Sequence, residues 1–153
     1  MNYWLMKSEP STFGIDALAK APRKRSGWDG VRNYTARNML RDQMQKGDLA
    51  FFYHSSCELP GIYGIARIAR SGYPDPTAFK RGHAHFDADS DPKNPRWYMV
   101  DVEFVRRLAR PISLDALKAN SKLLPELLVI KRGNRLSIMP VAATEWRFIL
   151  TLE

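Results

Sequence analysis

The spacing of short apolar runs narrows the fold of this chain more than any other feature. Tyr3–Met6, Leu49–His54, Ile62–Ala69, Trp97–Leu108 and Leu136–Met139 are rich in residues that suit a pleated surface. Turn-forming or charged residues punctuate them. Such strands outnumber what a helical bundle needs, and they do not alternate with long helices as βαβ units would. The expected class is α+β: a small, mostly antiparallel barrel or curled sheet flanked by helices. The length of 153 residues suits one domain with one sizeable core. No internal repeat or low-complexity linker marks a boundary, so residues 1–153 are expected to form a single domain.

Taken in order, Lys7-Ser8-Glu9-Pro10 ends the first strand, since proline cannot continue a central one. A short helix is predicted around Ile15–Ala19, and Ala21–Gly27 is a loop. Asn33 can cap a helix over Tyr34–Gln43, whose Ala36, Met39, Leu40 and Met44 fall on one face. The all-apolar Leu49–Tyr53 reads as a central strand. In the next strand Ile62, Gly64, Ala66 and Ile68 share a face. Lys80–Pro95 is an exposed loop. Pro111 is expected to stop the strand from Trp97, and Ser113 to cap a helix through Asn120. Leu123–Val129 is predicted helical, Lys131–Arg135 a basic turn, and Val141–Leu150 a closing helix.

A formal net charge of +8 favours polyanions, nucleic acid before an acidic membrane surface. No basic amphipathic helix supports the membrane reading, and no apolar run approaches the ~20 residues of a span. The N-terminus lacks the pattern of a signal peptide. One cysteine, Cys57, excludes an internal disulfide, so a reducing cytoplasmic setting, or nuclear in a eukaryote, is the default expectation. No cofactor, no membrane partner and a monomeric state are expected.

The stretch Trp28-Asp29-Gly30-Val31-Arg32-Asn33-Tyr34 combines two aromatics, an amide, a carboxylate, a guanidinium and a glycine hinge. That inventory suits a planar, polar ligand such as a nucleobase: aromatic faces stack on it, while Asn and Asp read its edge. The alternative is a Trp that anchors the loop to the core, with Asn33 only a helix cap. Three adjacent cations, Arg23, Lys24 and Arg25, precede the stretch and suit phosphate contacts.

Enzyme chemistry finds little support. Cys57 lies near His54 in sequence, but nucleophile–base pairs are defined in space. Asp87-Ala88-Asp89-Ser90-Asp91 imitates the start of a calcium loop, yet Pro92 stands where glycine is needed and Tyr98 where the bidentate Glu belongs. His83 and His85 with these aspartates could hold a metal, but no third ligand has recognisable spacing. There is no phosphate-binding glycine loop and no G-x-S-x-G.

A set of motifs spread along the chain resembles the EVE-domain family. These are Tyr3-Trp4-Leu5-Met6-Lys7-Ser8-Glu9-Pro10, the Trp28–Tyr34 stretch followed by Ala36-Arg37-Asn38, Phe52-Tyr53-His54-Ser55, Pro60-Gly61-Ile62, Tyr73-Pro74-Asp75-Pro76-Thr77, Pro95-Arg96-Trp97, Arg135-Leu136-Ser137 and Pro140-Val141. The chain departs from the family pattern at Cys57-Glu58-Leu59 and at Tyr63. The resemblance implies a PUA-like fold, a small β-barrel flanked by helices, and a reader of modified bases, such as a modified cytosine, in DNA or RNA. By matching position, the pocket would be lined by Ser8, Trp28, Val31, Asn33, Tyr34, His54, Ser55, Gly61, Ile62, Leu136 and Ser137. Lys7, Arg23, Lys24, Arg25, Arg32, Arg37, Lys131, Arg132 and Arg135 would hold the backbone. The alternatives are an enzyme acting on a nucleobase or nucleotide, with His54 or Asp29 as base, and a protein-interaction module using the same concave surface.

Overall fold

The computed structural model describes all residues, Met1–Glu153. It is an α+β fold around a six-stranded sheet. The strands are β1 (Tyr3–Ser8), β2 (Arg25–Gly27), β3 (Leu49–His54), β4 (Gly61–Pro74), β5 (Tyr98–Ser113) and β6 (Ile138–Val141). Their order is β2-β5-β4-β3-β1-β6. β1 pairs with β3 in parallel and the other pairings are antiparallel. The ladder does not close, so the expected barrel is met as a sheet with β2 and β6 at its two ends.

Both faces of the sheet are covered, which is why the runs Tyr3–Met6 of β1 and Leu49–Tyr53 of β3 are apolar rather than alternating. On one face Trp4, Met6, Ala50, Phe52, Ala66, Val100 and Val102 pack under α2 (Ile15–Lys20) and α3 (Tyr34–Asn38). On the other, Leu5, Phe51, Tyr53, Ile65, Ile112 and Met139 pack with α4 (Leu114–Ala119) and α5 (Ala143–Leu150). The period of two is legible residue by residue: Trp4 and Met6 go one way, Leu5 the other. Trp146 of α5 stacks on Phe51 at 3.8 Å between ring centres. At the start of β1, the buried carboxylate of Asp48 accepts the Trp4 indole N–H at 3.0 Å.

Four expectations are corrected. Ile62 does not share a face with Ala66 and Ile68. The β3–β4 register shifts so that Tyr53 faces Ile62 and Phe52 faces Gly64, leaving Tyr63 as an extra residue. This bulge turns Ile62 into the second core. Pro111 does not end β5. It falls where the β4–β5 register jumps from Gly64↔Arg107 to Ile62↔Ile112, so its missing N–H costs the ladder nothing there. Leu123–Val129 is not a helix. Pro125 drives Leu124 out of the α region, to φ −128° and ψ 53°, and only single 3₁₀ turns form, at Ser121–Leu123 and Leu128–Ile130. The helix expected over Tyr34–Gln43 is α-helical only to Asn38 and continues as a π turn, Met39–Gln43.

Candidate functional site

A cleft of about 650 Å³ opens where β1 ends, beside the segment that follows β2. Its walls come from five separate stretches of chain. Lys7, Ser8 and Glu9 lead out of β1. Thr12 and Phe13 belong to the short helix α1 (Pro10–Phe13). Ser26 to Arg32 form the longest wall, and His85 and Ser137 complete it.

Local hydrogen bonds explain why these stretches meet. The Lys7 backbone N–H donates to the Ser137 carbonyl at 2.8 Å, which ties the segment before β6 to β1. The Ser8 hydroxyl donates to the Phe13 carbonyl at 2.7 Å and fixes α1. Trp28 N–H donates to the Val100 carbonyl at 2.8 Å, prolonging the β2–β5 ladder by one residue. The Trp28 indole is only 7 % exposed and meets Phe52 edge-on at 5.4 Å. It is thus both part of the core and part of the cleft wall.

Beyond Trp28 the loop is held by a buried carboxylate. Asp75 Oδ2 accepts from the Gly30 N–H at 2.9 Å and from Arg32 Nη1 at 3.1 Å. Its Oδ1 accepts from the Thr77 N–H at 2.9 Å and the Thr77 hydroxyl at 2.6 Å. Burial alone would push the Asp75 carboxyl up. The bonds from Thr77, Gly30 and Arg32 outweigh burial and hold it below the usual carboxylate range. Arg32 also donates to the His85 carbonyl at 2.7 Å. Gly30 has φ +79°, and a Cβ there would lie 2.4 Å from the His85 ring, so only glycine lets loop and ring pack this closely.

Of the eleven positions expected to line a pocket, the structure brings Ser8, Trp28, Val31 and Ser137 together in this cleft, with the expected cations Lys7 and Arg32. The others lie elsewhere. Asn33 is the cap of α3, its side-chain oxygen accepting the Ala36 N–H at 3.0 Å. Tyr34 is 54 % exposed and stacks outside the cleft on Trp97 at 5.0 Å, with the Arg37 guanidinium over its ring. His54 lines a second cavity of about 600 Å³ with Pro10, Cys57, Glu58, Leu59 and Tyr63. Its Nε2 accepts the Ile15 N–H at 3.1 Å, so that nitrogen serves the fold. Ser55 donates its backbone N–H to the Ser8 carbonyl. Gly61 is a close approach: a Cβ would lie 2.3 Å from the Ile112 carbonyl oxygen of β5. Ile62 is sealed in the second core by the Tyr63 bulge, and Leu136 packs against both cores.

Among the expected cations, Arg25 is paired with Glu103 at 2.6 Å. Arg23, Lys24, Lys131, Arg132 and Arg135 are exposed. Glu9, Thr12, Phe13, Ser26, Gly27, Asp29, Gly30 and His85 also line the cleft, beyond the positions expected from the sequence. Asp29 and Gly30 lay in the stretch already singled out, whereas Phe13 and His85 reach the cleft through contacts that no local pattern announces.

Comparisons with known proteins identify the family and the fold. The EVE domain family model matches residues 2–152. Thymocyte nuclear protein 1 of Rattus norvegicus is 45% identical over 168 residues, covering 99% of this chain and 74% of the relative. The crystal structure of human THYN1 protein in complex with 5-methylcytosine containing DNA superposes with a TM-score of 0.94 at 42% identity, over 99% of this chain and 97% of that one. A crystal structure of a Pseudomonas putida protein gives a TM-score of 0.93 at 49% identity, over 98% of both chains. A whole-length family match, relatives above 40% identity and the shared fold together place this chain in the EVE domain family.

Proposed function

We propose that this chain is a DNA-binding reader that takes a flipped-out modified base, with 5-methylcytosine the first candidate, into the cleft beside Trp28. One observation carries the reading: the fold superposes over nearly its whole length on a relative whose structure holds 5-methylcytosine containing DNA. The cleft, at about 650 Å³, is of a size that small planar ligands use (about 300–1,000 Å³). A base must leave the stack to be inspected there. Trp28 and Val31 supply apolar walls, Ser8, Asp29 and Ser137 supply hydrogen-bonding groups for its edge, and Lys7 faces the phosphates. Arg23, Lys24, Lys131, Arg132 and Arg135 add a diffuse positive field that steers the polymer.

The reading is of a binding domain rather than an enzyme. The Ser8 hydroxyl is engaged by the Phe13 carbonyl, and His54, the residue opposite Ser8 in the β1–β3 ladder, spends Nε2 on the Ile15 amide. On the same reading the chain is one EVE domain acting as a monomer, and its sheet is a PUA-like barrel left open between β2 and β6.

Fluorescence anisotropy with matched duplexes, one carrying a single 5-methylcytosine and one plain cytosine, tests the proposal at fixed salt. A methyl group is worth about 1–3 kcal/mol in a fitted pocket, a preference of roughly 10–200-fold. Equal affinity for the two duplexes overturns the reader reading.

A further inference from the structure

We propose that Asp29, His83 and His85 form a binding site for one divalent transition-metal ion at the mouth of the cleft. Each offers one donor atom, and the three atoms all lie within 4.8 Å of one another. Asp29 Oδ1 and His85 Nδ1 are already 3.8 Å apart. Zinc bonds of about 2.0–2.2 Å place donors about 3–3.5 Å apart around one ion. The Asp29–His85 pair is therefore within a few tenths of an ångström of that spacing. Side-chain rotation of the exposed His83 closes the rest.

Two features point to a ligand rather than to a chance meeting. The His85 Nδ1 atom is shielded from solvent and has no hydrogen-bond partner, although polar atoms in such positions are normally satisfied. The ring is also held in place: it packs on Gly30, and the His85 carbonyl is gripped by Arg32. An aimed, unsatisfied imidazole nitrogen opposite a carboxylate is a half-built coordination site. Two imidazoles with one carboxylate suit zinc and its transition-metal neighbours rather than magnesium or calcium, which prefer oxygen.

The site requires one rearrangement. The His85 backbone N–H now donates to His83 Nδ1 at 3.0 Å. Coordination through His83 Nδ1 replaces that bond. Coordination through Nε2 puts the ring proton on Nδ1, which can then no longer accept. Either way the His85 amide loses this acceptor, and its NMR resonance reports metal uptake directly. The third ligand explains why spacing did not disclose the site: Asp29 comes from the loop after β2, not from the aspartates that follow the histidines. The site does not depend on the cleft accepting a base.

Calorimetric titration of tag-free protein with zinc ion alone tests it. The expected result is one ion per chain, with affinity lowered at least tenfold in each of D29N, H83Q and H85Q. C57S, which removes the only thiol, keeps the wild-type affinity. The His85 amide resonance shifts as zinc is added to the wild-type protein. Affinity within tenfold of wild type in any of the three variants, loss of binding in C57S, or an unmoved His85 amide at saturating zinc overturns the site. Thermal melts of the variants identify any that misfold, and for those the wild-type amide shift decides.

Discussion

The Asp75 carboxylate lies 3.1 Å from the Arg32 guanidinium and is wholly buried, while Arg32 keeps a quarter of its side chain exposed. The pair joins the start of the Pro76–Phe79 turn to the loop that walls the cleft. Asp75 also takes the Gly30 and Thr77 amides, so one carboxylate sets the position of both segments.

Replacing Asp75 with Ala leaves Arg32 and two amide donors without their acceptor. Breaking a buried pair from one side costs about 3–5 kcal/mol. D75A should therefore lose about that much unfolding free energy in urea titration, with Gly30 and Thr77 amides exchanging faster. The pH dependence follows from the carboxyl being held below its usual range. Its contribution is complete above the unfolded value of about 3.9 and is lost as pH falls through the lower folded value. D75A should lack this acid-side loss. A D75A protein as stable as wild type, with unchanged exchange, would show the carboxylate to be dispensable.

Lys7 lines the cleft from the end of β1. K7A should weaken DNA binding at low salt and reduce the slope of log affinity against log salt by about 0.9, the effect of one phosphate contact. Its melting temperature should match wild type, since a surface side chain outside the core changes stability by about 0.5 kcal/mol or less. An unchanged salt slope places Lys7 away from the phosphates.

Much of this was legible because it is local. The order of apolar and polar residues in β1 and β3 dictates which side chains face each core, and Asn33 announces its own helix start. The Trp28–Arg32 wall was legible because an aromatic, a hinge glycine and an arginine stand together. What was lost depended on distant partners or on single-residue irregularities. The Tyr63 bulge reverses the face of Ile62, and a bulge leaves no trace in period-two patterning. Pro111 is read by rule as a strand stop, whereas the apolar run Leu123–Val129 outweighs Pro125 in the helix reading. One sits harmlessly at a register jump, and the other breaks an otherwise apolar helix pattern. Phe13 and His85 join the cleft only because the Ser8 hydroxyl and the Arg32 guanidinium bind carbonyls of remote segments.

His54 gives a second pH signature. It is buried, its ring stacks on Tyr63 at 4.1 Å between centres, and its Nε2 accepts the Ile15 amide. Burial holds this imidazole below the ordinary histidine range, with Asp16 opposing weakly. The unfolded chain then takes up the proton first as pH falls. Stability is full above about pH 6.5 and declines until the folded value is reached. Urea titrations across this range should show the decline in wild type and a flatter profile in H54Q. A decline of equal size in H54Q assigns it to other groups.

Trp28 was open to two readings, a core anchor and a wall for a base, and the structure gives it both surroundings. Its indole belongs to the first core, edge-on to Phe52, and its backbone amide completes the β2–β5 ladder. Its remaining exposed edge lines the cleft. W28A should therefore change two quantities at once. Losing a buried Trp costs about 3–5 kcal/mol of stability. Losing a stacking partner costs about 1–3 kcal/mol of binding, which is roughly 5- to 150-fold in affinity, for methylated and plain strands alike. W28F, which keeps an aromatic ring, should recover most of the stability and part of the affinity. Melting temperature and affinity measured on one sample, with affinity corrected to the folded fraction, separate the two effects. Unchanged affinity of folded W28A would confine Trp28 to the core and leave the binding role to the rest of the wall.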